Sequence, residues 1–271
     1  MAASYSRRVT DDDLLLAYDE QMRGISHSER PGLIIERDGP LLRVAGQFRG
    51  FVTGPRDLGV DGQELDALIA RQRDFFQGRG EAVEWKTRGH DLPAGLPDKL
   101  RAAGFIPEET ETILVGIAAD MATDPVAPDG VTLRRVSSHA DFHAIGAMES
   151  EVWGQDWSFL VDDLIRRTAA APDDIAVFAV RDDAAGQVVS AAWIVFYPGT
   201  DFAGLWGGST LKAWRSRGIY RTLIAARAQL AVARGTRYLQ VDASDDSAPI
   251  LRRLGFRALT TTTPYVWTPT A

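Results

Sequence analysis

Apolar and polar positions in this chain fall into alternating and helix-period runs, and the order of those runs repeats. In the second half, the β-rich runs 131–136, 175–180, 188–196 and 202–211 predict strands. Residues 142–148 and 159–168 read as helices, with Pro172 marking the end of the latter region. A helix over 219–234 follows, apolar at Ile219, Leu223, Ala226 and Leu230, the spacing of one side packed on a sheet. Then come a strand at 238–242, a short helix stopped at Gly255, Phe256, and a strand at 260–266.

The first half ends in the same way. A helix over 63–77 stops at Gly78, a strand occupies 82–85, and a short helix at 99–103 ends at Gly104 before Phe105 and a strand at 110–115. Strand, helix, strand, short helix, strand thus occurs twice in order, which points to a duplicated domain. Between the copies, 118–130 is small and polar with two prolines, Pro125 and Pro128, and reads as a linker. The expected boundaries are 1–120, a linker at 121–130, and 131–271. Each domain is expected to be α+β, a mostly antiparallel sheet flanked by helices.

Composition narrows the function classes. A length of 271 residues suits two ordinary domains, and 45% hydrophobic with 25% charged residues is globular. The chain has no cysteine, which removes disulfides, thiolate metal sites and a cysteine nucleophile. No stretch is apolar enough to span a bilayer, and the first residues run without an apolar core into Asp11, Asp12 and Asp13. A cytoplasmic protein with no membrane partner is expected. Thr10 before those acids is a helix N-cap. A net charge of −7, with Arg and Lys interleaved among acids, argues against nucleic acid and suits an amine-bearing substrate.

The stretch 205–224 carries the most chemistry. A strand ends near Leu211, a basic turn follows, and a helix begins near Ile219. First-turn amides of a helix have no internal partner, and Gly218 lets a ligand approach the chain closely. Arg215, Arg217 and Arg221 add positive charge, so the turn is suited to pyrophosphate.

Here the chain resembles the GNAT superfamily of N-acetyltransferases, whose strand-to-helix turn reads Arg/Gln-x-x-Gly-x-Gly/Ala. The pattern falls on Arg215, Ser216, Arg217, Gly218, Ile219 and Tyr220, and the family's closing helix-Gly-Phe-strand falls on Leu254-Gly255-Phe256. The resemblance implies an acetyl-coenzyme A site at this turn, with main-chain groups around Thr210 and Leu211 bonding the pantetheine and the thioester carbonyl. Ser244 stands where an asparagine often helps hold the pantetheine arm.

Two departures stand out. Tyr220 replaces a small residue at the last position of the turn, and Leu251 replaces the tyrosine that serves many relatives as general acid. A thiolate leaves tolerably without an acid, since a thiol has a pKa of about 8.5. An amine with a pKa of about 10 must instead lose a proton before attack, so a base is needed. Glu149 and Asp242 are the candidate catalytic carboxylates, with Glu151 and Asp156 behind them and Tyr197 and Tyr265 weaker still. Each of these acids has an ordinary reading as an exposed or capping residue.

At the equivalent place the first half has Asp57, Asp61 and Pro55 among its glycines, which predicts a copy without a cofactor site. Six of the seven tryptophans (Trp153, Trp157, Trp193, Trp206, Trp214, Trp267) are in the second half, as cleft lining or core. His139 and His143 have a metal-gripping spacing but no third ligand, so no metal is expected. Walker and Gly-x-Ser-x-Gly motifs are absent. The expected activity is acetyl transfer from acetyl-coenzyme A to a small-molecule amine, by direct attack in a ternary complex. A non-catalytic acyl-coenzyme A sensor or scaffold is the alternative, and a purely structural dimerisation domain ranks below both. The oligomeric state stays open.

Overall fold

The structure is a computed structural model that describes residues 9–24, 33–46 and 49–270. The leaderless reading of the first eight residues falls outside that range. No described helix is long and apolar enough to cross a membrane.

In chain order the elements are α1 (Asp11–Met22), β1 (Ile34–Asp38), β2 (Leu41–Ala45), β3 (Gly50–Thr53), α2 (Gly62–Arg79), β4 (Val83–Arg88), α3 (Leu96–Ala102), β5 (Ile106–Pro107) and β6 (Glu111–Ile117). There follow α4 (Ala118–Met121), β7 (Val131–Val136), α5 (His139–Trp153), α6 (Ser158–Ala170), β8 (Ile175–Asp182), β9 (Val188–Phe196) and β10 (Phe202–Thr210). The chain ends with α7 (Ile219–Ala233), β11 (Tyr238–Ala243), α8 (Ala248–Arg253) and β12 (Arg257–Trp267). It folds as two compact units, the first made of 1–114, 242–250 and 257–271, the second of 115–241 and 251–256.

Local chemistry explains the element ends. Thr10 and Asp13 form a reciprocal capping box at the start of α1. Helix α2 runs through Gly78 and stops at Gly80 (φ +65°), two residues beyond the expected end. Gly78 sits in helical conformation with its neighbours, whereas Gly80 takes the left-handed turn that closes the helix. Helix α7 is buried more widely than its expected face, because α4 lies against it as well as β9 and β10. The expected linker is held to α7 as well: Thr222 Oγ1 donates to the Val126 carbonyl and Gln229 to that of Thr123.

In the first unit the strand order is β1-β2-β3-β4-β12, antiparallel except for the β3–β4 pair. In the second it is β11-β10-β9-β8-β7, antiparallel except for β10–β11. Each parallel ladder covers three residues, Gly50–Val52 on Val83–Trp85 and Phe202–Gly204 on Tyr238–Gln240. The repeat seen in the sequence is therefore also a repeat of ladder geometry.

The expected boundary at 131 differs from the fold: 115–130 belong to the second unit, and 242–250 with β12 to the first. β12, assigned by its position to the second domain, pairs antiparallel with β4 from Thr262↔Arg88 to Trp267↔Val83. Its Tyr265 and Trp267 enter the first unit's core beside Trp85, Leu100 and Phe105. Burying two aromatic side chains stabilises that core by several kcal/mol, at roughly 1.5–3 kcal/mol each, and this is the physical reason the strand lies there.

Candidate active site

The turn between β10 and α7 presents unpaired amides and basic side chains. Ser216 (φ +62°) is the only non-glycine with a left-handed backbone among the described residues, and Gly218 (φ +92°) is left-handed two residues later. Alternation of this kind turns successive amides to one side. The N–H groups of Ser216, Arg217, Gly218, Ile219 and Tyr220 have no acceptor among the described residues, and the turn from Arg215 to Gly218 is solvent-exposed. Arg215 Nε donates to the Thr210 carbonyl (2.9 Å) and ties the turn to the strand. The Arg217 guanidinium lies over the Trp214 ring at 4.6 Å. Its charge, with that of exposed Arg221, adds to the field of the helix N-terminus.

β10 leads into this turn and is irregular where it does so. It leaves β11 after Gly204↔Gln240 but stays paired with β9 to Thr210↔Ser190, so its edge from Leu205 onward is unpaired with β11. A bulge at Gly208 shifts the register between Gly207↔Ala192 and Ser209↔Ala191, and Gly207 and Gly208 both have positive φ (+69° and +94°). The Tyr220 ring packs on Gly208, where a methyl group would stand 2.6 Å from Cε2. Beneath the bulge, the fully buried Arg227 donates to the carbonyls of Trp193 (3.2 Å) and Trp206 (3.1 Å) and to Leu223 of its own helix. Burial lowers the Arg227 pKa to about 10, and burial raises that of the Tyr220 phenol.

Glu149, on α5, meets this strand. It is only 1% exposed, and its carboxylate accepts from Trp153 Nε1 (3.0 Å), with the Ser209 hydroxyl beside it. Trp153 Nε1 is also 3.3 Å from Ser209 Oγ, so indole, hydroxyl and carboxylate form one closed group. Burial raises the Glu149 pKa above the ordinary carboxylate value, against the neighbouring Ser209 hydroxyl and the Trp153 hydrogen bond, which lower it. Oε1 is buried with no hydrogen-bond partner. A buried carboxyl with raised proton affinity and an unsatisfied oxygen is suited to taking a proton.

Residues 142–256 match the model of the Acetyltransferase (GNAT) family, a span that includes Glu149, the bulge and the amide-lined turn. That segment is a GNAT acetyltransferase domain. No curated protein matches the chain. Among solved structures, the chain is similar to a GCN5-related N-acetyltransferase from Kribbella flavida (20% identity, TM-score 0.67, covering 96% of this chain and 95% of that one). It is also similar to a tandem GNAT protein from the clavulanic acid biosynthesis pathway (14% identity, TM-score 0.64, covering 100% and 98%). A third, a GCN5-related N-acetyltransferase from Sphaerobacter thermophilus, shares 15% identity at TM-score 0.60 over 86% and 82% of the two chains. At such identities these likenesses establish the fold.

Several expected site residues of the GNAT domain have other duties. The Leu211 N–H donates to the Val189 carbonyl (2.9 Å), and the Thr210 carbonyl accepts from Arg215. The Leu211 amide is thus taken, the Thr210 carbonyl already accepts one bond, and the edge of β10 unpaired with β11 begins earlier, at Leu205. Asp242 is ion-paired with Lys86 of β4 in the first unit. Burial opposes the Lys86 charge, but Asp242 and Tyr18 outweigh it and hold the Lys86 pKa above its ordinary value. Asp242 thus serves as a counter-ion and is not a free base. Ser244, also in the first unit, accepts from the Ser247 and Ala248 amides at the start of α8.

The other candidates resolve simply. Leu251 is fully buried and carries no proton donor, as expected from the residue type. Asp156 caps α6 through Ser158, whose hydrogen bonds lower its pKa. Glu151, His139 and His143 face solvent, and Tyr265 is core of the first unit, as is Trp267. Sequence reasoning passed over Ser209, Tyr220 as a packing partner, Arg227, and the Gly207–Gly208 bulge, for which adjacent glycines inside a strand were the available signal.

The first unit shows what the same geometry becomes when filled. Its turn 54–62 is bridged to Leu92: Leu58 N donates to the Leu92 carbonyl (3.0 Å) and Leu92 N to that of Arg56 (2.7 Å). The Gly59 amide is taken by Asp57 (2.9 Å). Where β3 and β4 part, the buried Arg88 guanidinium donates to Thr53 Oγ1 (2.7 Å) and, through Nε, to the Tyr18 hydroxyl (3.3 Å).

Proposed function

We propose that the GNAT domain transfers acetyl from acetyl-coenzyme A to the primary amine of a small molecule, by direct attack in a ternary complex. The observation that carries this reading is Glu149, buried against Ser209 at the bulged end of the strand that leads into the amide-lined turn. The amides from Ser216 to Tyr220 would hold the donor's pyrophosphate, with Arg217 and Arg221 adding charge. The amine nitrogen attacks the thioester carbonyl carbon, a C–N bond forms, and the C–S bond breaks. Before attack the ammonium proton passes through the Ser209 hydroxyl to Glu149, whose raised pKa makes it a better acceptor than an ordinary carboxylate, and the second N–H proton leaves to water as the amide forms. Leu251 offers no proton, so the sulfur leaves as the thiolate, which its pKa of about 8.5 permits.

The first unit, with the Leu58 and Gly59 amides of its turn bonded and its strand gap filled by Arg88, is read as a structural copy without a donor site. A non-catalytic sensor is disfavoured, since a binding module has no need of a costly unsatisfied carboxylate beside the donor strand. Calorimetric titration with acetyl-coenzyme A, followed by thiol release against a panel of amines, tests the reading. Micromolar binding with release on one class of amine is expected. Binding without release on any amine would overturn the catalytic reading, and no binding would remove the donor site.

A further inference from the structure

The surface beside Glu149 is aromatic and open. Trp153 is 59% exposed, Phe159 49% and Trp206 47%, and they are the exposed large aromatic side chains of the described residues. Two of these rings are joined through Trp157. Trp153 stacks on Trp157 (centroids 5.9 Å, 26°), and Trp157 lies against Phe159 (5.1 Å, 34°).

The bulge brings Trp206 to the same place. Residues three apart in a regular strand face opposite sides. Here Trp206 pairs with Trp193 and Ser209 with Ala191, and those two partners are two apart on β9. Cross-strand partners share a face, so the extra residue at Gly208 puts Trp206 and Ser209 on one face, about 7 Å apart along the strand. The Trp206 indole leans back over Gly204 toward Tyr197 rather than over Ser209. Trp153, which donates toward Ser209, therefore borders the hydroxyl beside Glu149, with Trp206 on the same face of the strand.

We propose that the acceptor is a primary amine carried on a flat aromatic body, its ring lying on Trp153 and its nitrogen directed at Ser209. The proposal rests on the reading of Glu149 as base. Two chemistries meet at this point, a proton acceptor for the nitrogen and apolar ring faces for what carries it. Exposed indoles held by a hydrogen bond and by stacking are preorganised, so a ring that covers them gains area burial and stacking with little ordering cost.

The test is a binding titration of 2-phenylethylamine against butylamine, on the protein alone and saturated with acetyl-coenzyme A, repeated in Trp153→Ala and Trp153→Phe. Phenylethylamine is expected to bind at least tenfold more tightly, Trp153→Ala to erase the difference, and Trp153→Phe to retain most of it. Equal affinity for the two amines, or a preference that survives Trp153→Ala, would overturn the proposal, as would no binding of either. Thiol release with butylamine or spermidine in that event would leave the acetyltransferase reading intact. Failure to bind acetyl-coenzyme A would overturn that reading alone, because the amine comparison is also read on the protein without donor.

Discussion

The indole N–H of Trp153 donates to the Glu149 carboxylate across 3.0 Å, one turn along the same helix, and holds that carboxylate against the strand that carries Ser209. The bond orients the proposed base without neutralising it. Glu149→Gln keeps the size and an acceptor oxygen but cannot take the proton. It is expected to lower kcat by about 10²–10⁴-fold with the acetyl-coenzyme A Kd unchanged. Steady-state kinetics beside calorimetry check this; a parallel loss of donor affinity would show that the residue supports the fold of the site instead.

The raised Glu149 pKa also fixes the sign of a stability effect. The folded protein holds this proton more tightly than the unfolded chain, so the contribution is fully present below the unfolded pKa and lost as pH rises through the folded one. Above that window the native state carries a buried carboxylate with one oxygen unsatisfied. Glu149→Gln should therefore melt above the parent protein at pH 8, the difference shrinking toward pH 4. For a domain of this size each 1 kcal/mol moves Tm by about 2–4 °C. The activity of the parent protein should fall on acidification through a pKa above the ordinary carboxylate value, a limb that the variant lacks.

What could be read along the chain was what is specified locally. The turn from Arg215 to Gly218 declares itself because a helix start, a glycine and basic side chains are all neighbours in sequence. Glu149 was within reach because few acids stand between the runs 142–148 and 159–168 that read as helices, although it lies inside α5. Placement that depends on distant partners was not legible. The 110–115 and 260–266 runs look alike, and only the pairing of β12 with β4 sends Trp267 into the first unit. Asp242 meets a lysine 156 positions away. The Leu211 amide is taken by a carbonyl on the preceding strand, a matter of register that a bulge displaces by one residue.

The amide-lined turn makes a prediction in three variants. Gly218 has φ +92° with open space around its missing Cβ, so Gly218→Ala is opposed by backbone conformation alone, by roughly 1–2 kcal/mol. It should weaken acetyl-coenzyme A binding at least tenfold. Ser216→Gly relieves a left-handed serine at φ +62° and is expected to keep affinity while raising or preserving Tm. Arg217→Glu should abolish binding at low salt. Unchanged calorimetry in Arg217→Glu would place the pyrophosphate elsewhere.

Lys86 and Asp242 are expected to matter for folding and not for turnover. Both side chains are less than a fifth exposed, so losing one partner costs less than the roughly 3–5 kcal/mol of a fully buried pair but still lowers Tm measurably. Asp242→Asn should reduce stability with kcat and KM unchanged. Replacing both, Lys86→Met with Asp242→Leu, should recover much of the loss, because no uncompensated charge remains. A large fall in kcat in the stable double variant would restore Asp242 to the catalytic set.

The bulge offers the sharpest separation of position from chemistry. Gly208 contributes no side chain, yet its backbone at φ +94° places Ser209 on the face of Trp206 and lies against the Tyr220 ring. Gly208→Ala would set a methyl group 2.6 Å from Tyr220 Cε2 in a conformation that alanine disfavours. The strand can relieve both by giving up the bulge, which turns Ser209 away from Glu149. Activity should fall by two orders of magnitude or more, about the value of a general base. Pairing the change with Tyr220→Ala removes the clash but leaves the positive φ. If activity returns in that double variant, ring contact was the cause; if it does not, the left-handed backbone at Gly208 is what the reaction requires.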